Sequence, residues 1–255
     1  WVLNPFPNAD SLNQWAKRGI DTLNNVELIT IDNPASGTYT PEVKGTLVPY
    51  GPQVYRVVYS FVYDSIKVIY PSGGESLVPK ENRRIRWDAY DTAGTFDIQY
   101  SLDSGNTWRM IAAGLAGKLR SYNWSIPDSV SGNCFVKVTS GSLVGHSNSR
   151  FSIVYPPNNL HLVWRCADSA MVSWDTVPGA LGYRVYKLGT KYMDTLLQTS
   201  SFKTTLYNLS STNKEWISVQ TMMPDGGVSR RTIALSIDPT NVSCVPFDLS
   251  LNGLL

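Results

Sequence analysis

From Met171 to Tyr186 the chain reads MVSWDTVPGALGYRVY. Val172 and Trp174 flank polar Ser173, and Tyr183 and Val185 flank Arg184. That two-residue period belongs to strands with one buried face. Val177-Pro178-Gly179 breaks the run, because proline has no N–H for a ladder and glycine turns freely. The stretch therefore predicts strand, turn, strand, with Trp174 and Tyr183 facing one core. An earlier stretch has the same form. Ile85 and Trp87 alternate with Arg84, Arg86 and Asp88, and Phe96, Ile98 and Tyr100 alternate with Asp97 and Gln99. Trp87 to Phe96 spans nine positions, as does Trp174 to Tyr183. The repeat predicts two sandwiches in tandem.

Further alternating runs fill in around these units. Val26–Ile31, Thr38–Lys44 and Tyr55–Tyr63 read as strands, separated by Asn33–Gly37 and Pro49–Pro52. Three strands and a long loop do not close a sandwich, so residues 1–63 are expected to be the end of a domain that starts earlier. Ile66–Tyr70, Trp108, Trp124, Phe135 to Val138, and Phe151 with Ile153 supply a sandwich over 64–155. Pro156–Asn159 reads as a linker. Leu160, Leu162 and Trp164, then Thr195–Gln198, Phe202–Leu209, Trp216–Val219 and Thr232–Ile237, supply a second sandwich over 156–240. Asp225-Gly226-Gly227 marks the hairpin before its last strand. Val245–Leu255 restarts the alternation, so 241–255 is expected to be a linker and the first strand of a following domain. The expected fold class is all-β: tandem β-sandwiches in a chain that is a middle section of something longer.

Composition narrows the function. The 255 residues carry a net charge of +2 and only 16% charged side chains. No electrostatic case for nucleic acid or an anionic membrane arises from this. No apolar run approaches the roughly 20 residues of a membrane span, and Trp1 opens without a signal peptide. No phosphate loop, zinc spacing, calcium loop or serine-nucleophile elbow is present. The only histidines are His146 and His161. The chain is expected to have no catalytic residues, no metal and no cofactor. Lys80, Arg83, Arg84 and Arg86 form a basic run, with alternation placing Arg84 and Arg86 on a solvated face. Trp15 and Tyr192 are candidates for stacking on sugar rings, although sandwich aromatics are mostly core. Cys134 opens an apolar run and reads as a buried free thiol.

Ser101–Trp108, SLDSGNTW, matches the Asp-box pattern S-x-D-x-G-x-T-W. Asp103 is placed to accept the turn's own N–H groups, Gly105 supplies a permissive dihedral, and Trp108 folds back over the turn. Sialidase propellers carry such boxes in several blades. One copy, at Ser101, Asp103, Gly105 and Trp108, reads as a structural hairpin.

Three resemblances add to this reading. Met171–Tyr186 resembles the B and C strands of a fibronectin type III domain, and Trp216–Val219 falls where that family has strand F. The family's Arg-Gly-Asp tripeptide is absent. In such a sandwich the first and last strand edges run alongside each other, which implies a disulfide between Cys166 and Cys244. Residues 64–155 resemble the Ig-like domains found in tandem in secreted bacterial proteins. The run NNVELITIDNPASGTYT…GPQVYRVVYSF resembles the jelly-roll domain that follows the catalytic domain of subtilisin-like (S8) serine peptidases secreted by Bacteroidetes. That family's catalytic Asp, His and Ser lie upstream of anything present here. The resemblance implies a non-catalytic spacer and docking region, extracellular or at the cell surface, with type IX export. Its partners would be the upstream catalytic domain and downstream domains of the same protein, with a cell-surface protein or glycan as a further partner. A surface adhesin or filament subunit, and a glycan-binding appendage of a carbohydrate-active enzyme, stay open as alternatives.

The tripeptide Asp-(Ser/Thr)-apolar, counting threonine in third place, carries Ser11, Thr22, Ser65, Thr92, Ser129, Ser169, Thr176 and Thr195. It uses eight of the 15 aspartates, where composition alone would place about one. It resembles the acceptor of general protein O-glycosylation in Bacteroidetes. Asp-Ser and Asp-Thr are also good turn formers, but turn chemistry does not account for the apolar third residue. Loop sites are expected to be favoured over Thr195, which falls in a strand-like run.

Overall fold

The computed structural model describes residues 17, 19, 26–31, 34–45, 47–61, 63–90 and 94–244. The chain divides into two units, Trp1–Tyr59 and Ser60–Leu255, and the strands of the described residues all lie in the second.

The first nine strands are β1 (Ile66–Tyr70), β2 (Ser76–Leu77), β3 (Asn82–Ala89), β4 (Thr95–Ser101), β5 (Arg109–Ala116), β6 (Ser121–Ser125), β7 (Ser131–Ser140), β8 (Leu143–His146) and β9 (Phe151–Ile153). They form two sheets. One has the order β1-β3-β6, the other β2-β9-β7-β4-β5 with β8 beside β7. Alternation decides which side chains meet between them. Val68, Ile85 and Trp87 point inward from one sheet, and Phe96, Ile98, Val136 and Val138 from the other. Arg84 and Arg86, between the inward residues of β3, stay exposed.

Seven strands build the second sandwich: β10 (His161–Arg165), β11 (Ala170–Ser173), β12 (Gly182–Leu188), β13 (Met193–Thr199), β14 (Lys203–Leu206), β15 (Glu215–Met222) and β16 (Leu235–Ile237). Their sheets are β10-β11-β14 and β13-β12-β15-β16. Val172, Trp174, Tyr183, Val185, Leu206, Ile217 and Val219 fill the space between. The nine-residue repeat gives each sandwich an equivalent aromatic pair. Trp87 meets Phe96 edge to face at 5.5 Å and 64°, and Trp174 meets Tyr183 at 5.3 Å and 69°. The second pair carries one more bond, because the Tyr183 hydroxyl accepts the Val177 N–H at 2.8 Å. That bond satisfies the donor left free where Pro178 stops the strand.

Two expectations change. Residues 232–234 fall outside the last strand. There the Ser229 and Thr232 hydroxyls accept the Thr221 and Val219 N–H groups, at 2.9 and 3.1 Å, in place of main-chain carbonyls. A side chain substituting in the ladder displaces the strand from regular pairing. The strands expected at Val26–Ile31, Thr38–Lys44 and Tyr55–Tyr63 are not formed by the described residues. Val54 and Val58 are 93% and 92% exposed. Alternation predicts a strand only where one face is covered, and no layer covers Val54 and Val58 among the described residues. The jelly-roll reading of 1–63 therefore rests on sequence resemblance. Val245–Leu255 lie outside the described residues.

Candidate functional site

The described tripeptide hydroxyls are distributed over the surface of both sandwiches. Ser65 is exposed just before β1, and Ser129 is half-buried in the loop between β6 and β7. Ser169 is half-buried in the β10–β11 turn, and Thr176 is exposed in the β11–β12 turn. Thr195 is exposed but sits within β13, where its backbone is committed to a ladder with β12. Ser11, Thr22 and Thr92 lie outside the described residues, as does Trp15. Tyr192 is exposed, with the Lys191 ammonium 5.6 Å from its ring centroid.

The hairpin at 101–108 is built by its polar side chains. Asp103 accepts the Thr107 N–H at 2.8 Å and the Thr107 hydroxyl at 2.5 Å. The Ser101 hydroxyl donates to Asp103 at 2.7 Å and accepts the Gly105 N–H at 2.8 Å. The Thr107 hydroxyl, then the Thr107 N–H and the Ser101 hydroxyl, pull the Asp103 carboxyl down to about 2. Gly105 has φ +87°, and the Trp108 ring lies 3.4 Å from where a Cβ would stand. The Lys137 ammonium lies 4.2 Å from the Trp108 ring centroid. The Asp103 carboxylate is occupied inside its own turn, so the box is a fold element and offers no free carboxylate for catalysis.

At the far end of the second sandwich Cys166 and Cys244 form a disulfide, with Cα atoms 5.1 Å apart. Ser243 fastens the same place: its N–H donates to the Arg165 carbonyl at 2.9 Å, and its hydroxyl accepts the Arg165 N–H at 3.1 Å. The Arg165 side chain is buried beneath the link. Its guanidinium donates to the Ser210 carbonyl at 2.7 Å and the Ser169 carbonyl at 3.4 Å. Cys134 is a free thiol in the first core, and burial pushes it up to about 12.

The basic run is engaged in structural contacts. Lys80 pairs with Asp128 at 2.7 Å and Arg83 with Glu81 at 2.7 Å. Arg84 donates to Asn123 at 3.3 Å, and Arg86 lies over the Tyr70 ring at 5.9 Å. This run is a solvated, partnered face. His146 and His161 are both exposed, on β8 and β10. Among the described residues no three His, Cys, Asp or Glu side chains are grouped to hold a metal ion, and no helix is long and apolar enough to cross a membrane. A surface concavity of about 480 Å³ runs between Pro156–Leu160 and Arg230–Ile233. It is lined by two arginines and no carboxylate, imidazole or thiol, so it contains no nucleophile–base pair.

Sequence reasoning missed a set of residues between the sandwiches: Gly132, Tyr155, Asp225 and Gly227. Asp225 and Gly227 were legible only as a hairpin loop, and nothing about Gly132 marked it. Arg165 was also missed, since a lone arginine at a strand end reads as solvated.

No family model matches the chain, and no curated protein matches it. Solved structures do. A segment of two fibronectin type III domains from chicken tenascin is similar with a TM-score of 0.37 and 16% identity, over 68% of this chain and 97% of that one. The FN1-FN3 domains of chicken CNTN1 are similar with a TM-score of 0.30 and 14% identity, over 65% of this chain and 68% of that one. FN3tt is similar with a TM-score of 0.29 and 16% identity, over 32% of this chain and 92% of that one. The strand orders themselves define the class: an Ig-like β-sandwich followed by a fibronectin type III-like one with three- and four-stranded sheets, closed by a disulfide.

Proposed function

We propose that the chain is a spacer and docking region of a secreted or cell-surface subtilisin-like serine peptidase, exported by the type IX route and O-glycosylated on its surface turns. The placement of the tripeptides carries the reading. Of the five described hydroxyls, Ser65, Ser129, Ser169 and Thr176 stand in loops, where a bulky polar glycan is accommodated without loss of pairing. Thr195 alone lies in a strand. The disulfide fits an oxidising compartment. The peptidase parent and its Bacteroidetes origin rest on the resemblance of residues 24–61, and the boundaries 1–63, 64–155, 156–240 and 241–255 belong to the same reading. The catalytic domain would precede residue 1 and act on substrate, while the sandwiches set its distance from the next domain. Glycans on the turns would shield the loops from proteolysis.

The test is made on the protein from its native host. Intact mass should exceed that of the polypeptide by sugar-sized increments that fall when Ser129, Ser169 and Thr176 are changed to alanine. The polypeptide that contains this chain should also label with a fluorophosphonate. A bare mass ends the glycosylation claim. A parent that carries no reactive serine ends the peptidase claim and returns the chain to the adhesin and glycan-binding alternatives.

A further inference from the structure

Tandem sandwiches ordinarily move relative to one another, because contacts between domains are small and polar. The joint here has features that oppose such motion. Ile153 belongs to the first core, while Tyr155, two residues on, packs against the second. The two cores are thus separated by one residue, Val154, which is itself fully buried. Pro156–Asn159, expected as the linker, follows Tyr155 and so lies beyond the joint. Tyr155 is anchored on both sides. Its ring packs in the second sandwich, its hydroxyl donates to Asp128 in the β6–β7 loop of the first at 2.5 Å, and its carbonyl accepts the Thr221 hydroxyl of β15 at 2.9 Å.

The hairpin between β15 and β16 closes the joint from the other side. Asp225 accepts the Gly132 N–H at the start of β7 at 2.6 Å and its own loop's Gly227 N–H at 3.0 Å. The Val228 N–H donates to the Ser152 hydroxyl of β9 at 3.3 Å, and Arg230 pairs with Glu81. Gly132 and Gly227 meet backbone to backbone. A Cβ on Gly132 would stand 2.3 Å from the Gly227 nitrogen, and one on Gly227 would stand 2.7 Å from the Gly132 Cα. Neither glycine has a positive φ. They are glycines because the two backbone segments touch, with no room for a side chain.

We propose that the two sandwiches behave as one rigid element, locked by the β15–β16 hairpin against the first sandwich, and that this hairpin is therefore unavailable as a ligand-binding loop. Bending at Val154 would break the Asp225–Gly132 and Tyr155–Asp128 bonds together and separate two backbones packed at contact distance. A spacer of this kind fixes orientation as well as distance between whatever lies at its ends. Any partner must use other surfaces, such as the outer strands or the turns that carry Ser65, Ser169 and Thr176. The lock stands on these contacts alone and does not depend on the identity of the parent protein.

Pulsed electron resonance on the full chain tests it. Spin labels go on cysteines placed at two exposed sites, Val144→Cys in β8 and Tyr207→Cys after β14. Cys134 is buried and the other two native cysteines are bonded, so the labels are specific. The expected result is a single narrow distance distribution. Asp225→Ala and Gly132→Val should each widen it at least about twofold, since free hinge motion is the default between domains. A broad distribution in the otherwise unaltered chain overturns the proposal by itself, whether or not Gly132→Val folds. A narrow distribution that neither substitution widens overturns the role of the hairpin.

Discussion

Replacing Cys166 and Cys244 together by alanine removes a cross-link that spans 78 residues, nearly the whole second sandwich. Loop-closure entropy for that span puts the destabilisation at about 4.5 kcal/mol as an upper figure, and removal of native disulfides typically costs about 2–5 kcal/mol. The effect acts on the unfolded chain, which gains the freedom the link denied it. The folded end should keep its shape, because Ser243 still holds Arg165 through two hydrogen bonds and Arg165 still reaches the Ser210 carbonyl. A loss of about 2–4 kcal/mol is a large share of the 5–15 kcal/mol that holds a typical domain folded. Hydrogen exchange read by mass spectrometry on the full chain separates the two sandwiches in one experiment. Amides of β12 and β15 should exchange about 30- to 700-fold faster, by the tenfold-per-1.4 kcal/mol conversion. Amides in the middle of β7, in the other core, serve as the internal reference and should change far less. Unchanged exchange in β12 and β15 would refute the loop-entropy argument. An equal loss in β7 would show that the link acts on both cores.

Tyr183→Phe keeps the edge-to-face pair with Trp174 but strands the buried Val177 N–H. It should destabilise the second sandwich by about 1–3 kcal/mol in urea denaturation, and a change under 0.5 kcal/mol, within the range of about ±0.5 for neutral surface substitutions, would sink the capping role. Asp103 titrates near 2 in the folded hairpin and near about 3.9 unfolded. Because the folded value is the lower, its contribution is complete above the unfolded value and is lost as pH falls through about 2. The Thr107 amide resonance should hold its position down to about pH 3 and move only below it; movement centred near about pH 4 would contradict the hydrogen-bond network. Cys134 should resist iodoacetamide at about pH 8 in the native protein, and denaturation without reductant should expose one thiol per chain. A count of three refutes the cross-link.

Much of the local structure was legible because alternation is a local property. Trp87 and Phe96 lie on consecutive strands of the two facing sheets, and Trp174, just after β11, and Tyr183 on β12 do the same, so a short connection makes their spacing predict their meeting. The Asp-box is legible for the same reason: the groups that hold the Ser101 and Asp103 side chains fall within eight residues. The cross-link needed the topology of a whole sandwich, and the type III resemblance supplied it. Alternation failed in residues 26–61, where it predicts a face but not the layer that would cover it, and Val54 and Val58 are left exposed.

What the sequence by itself determined was the strand pattern, the two cores with their aromatic pairs, and the side-chain bonds of the 101–108 hairpin. The tertiary structure alone decided the joint. The Asp225 carboxylate finds Gly132 across 93 residues, and Gly132 is a glycine for room, not for its dihedral angles. Neither fact leaves a periodic trace, because contact between the surfaces of two finished sandwiches depends on their docking angle, and no single strand's hydrophobic period encodes that angle.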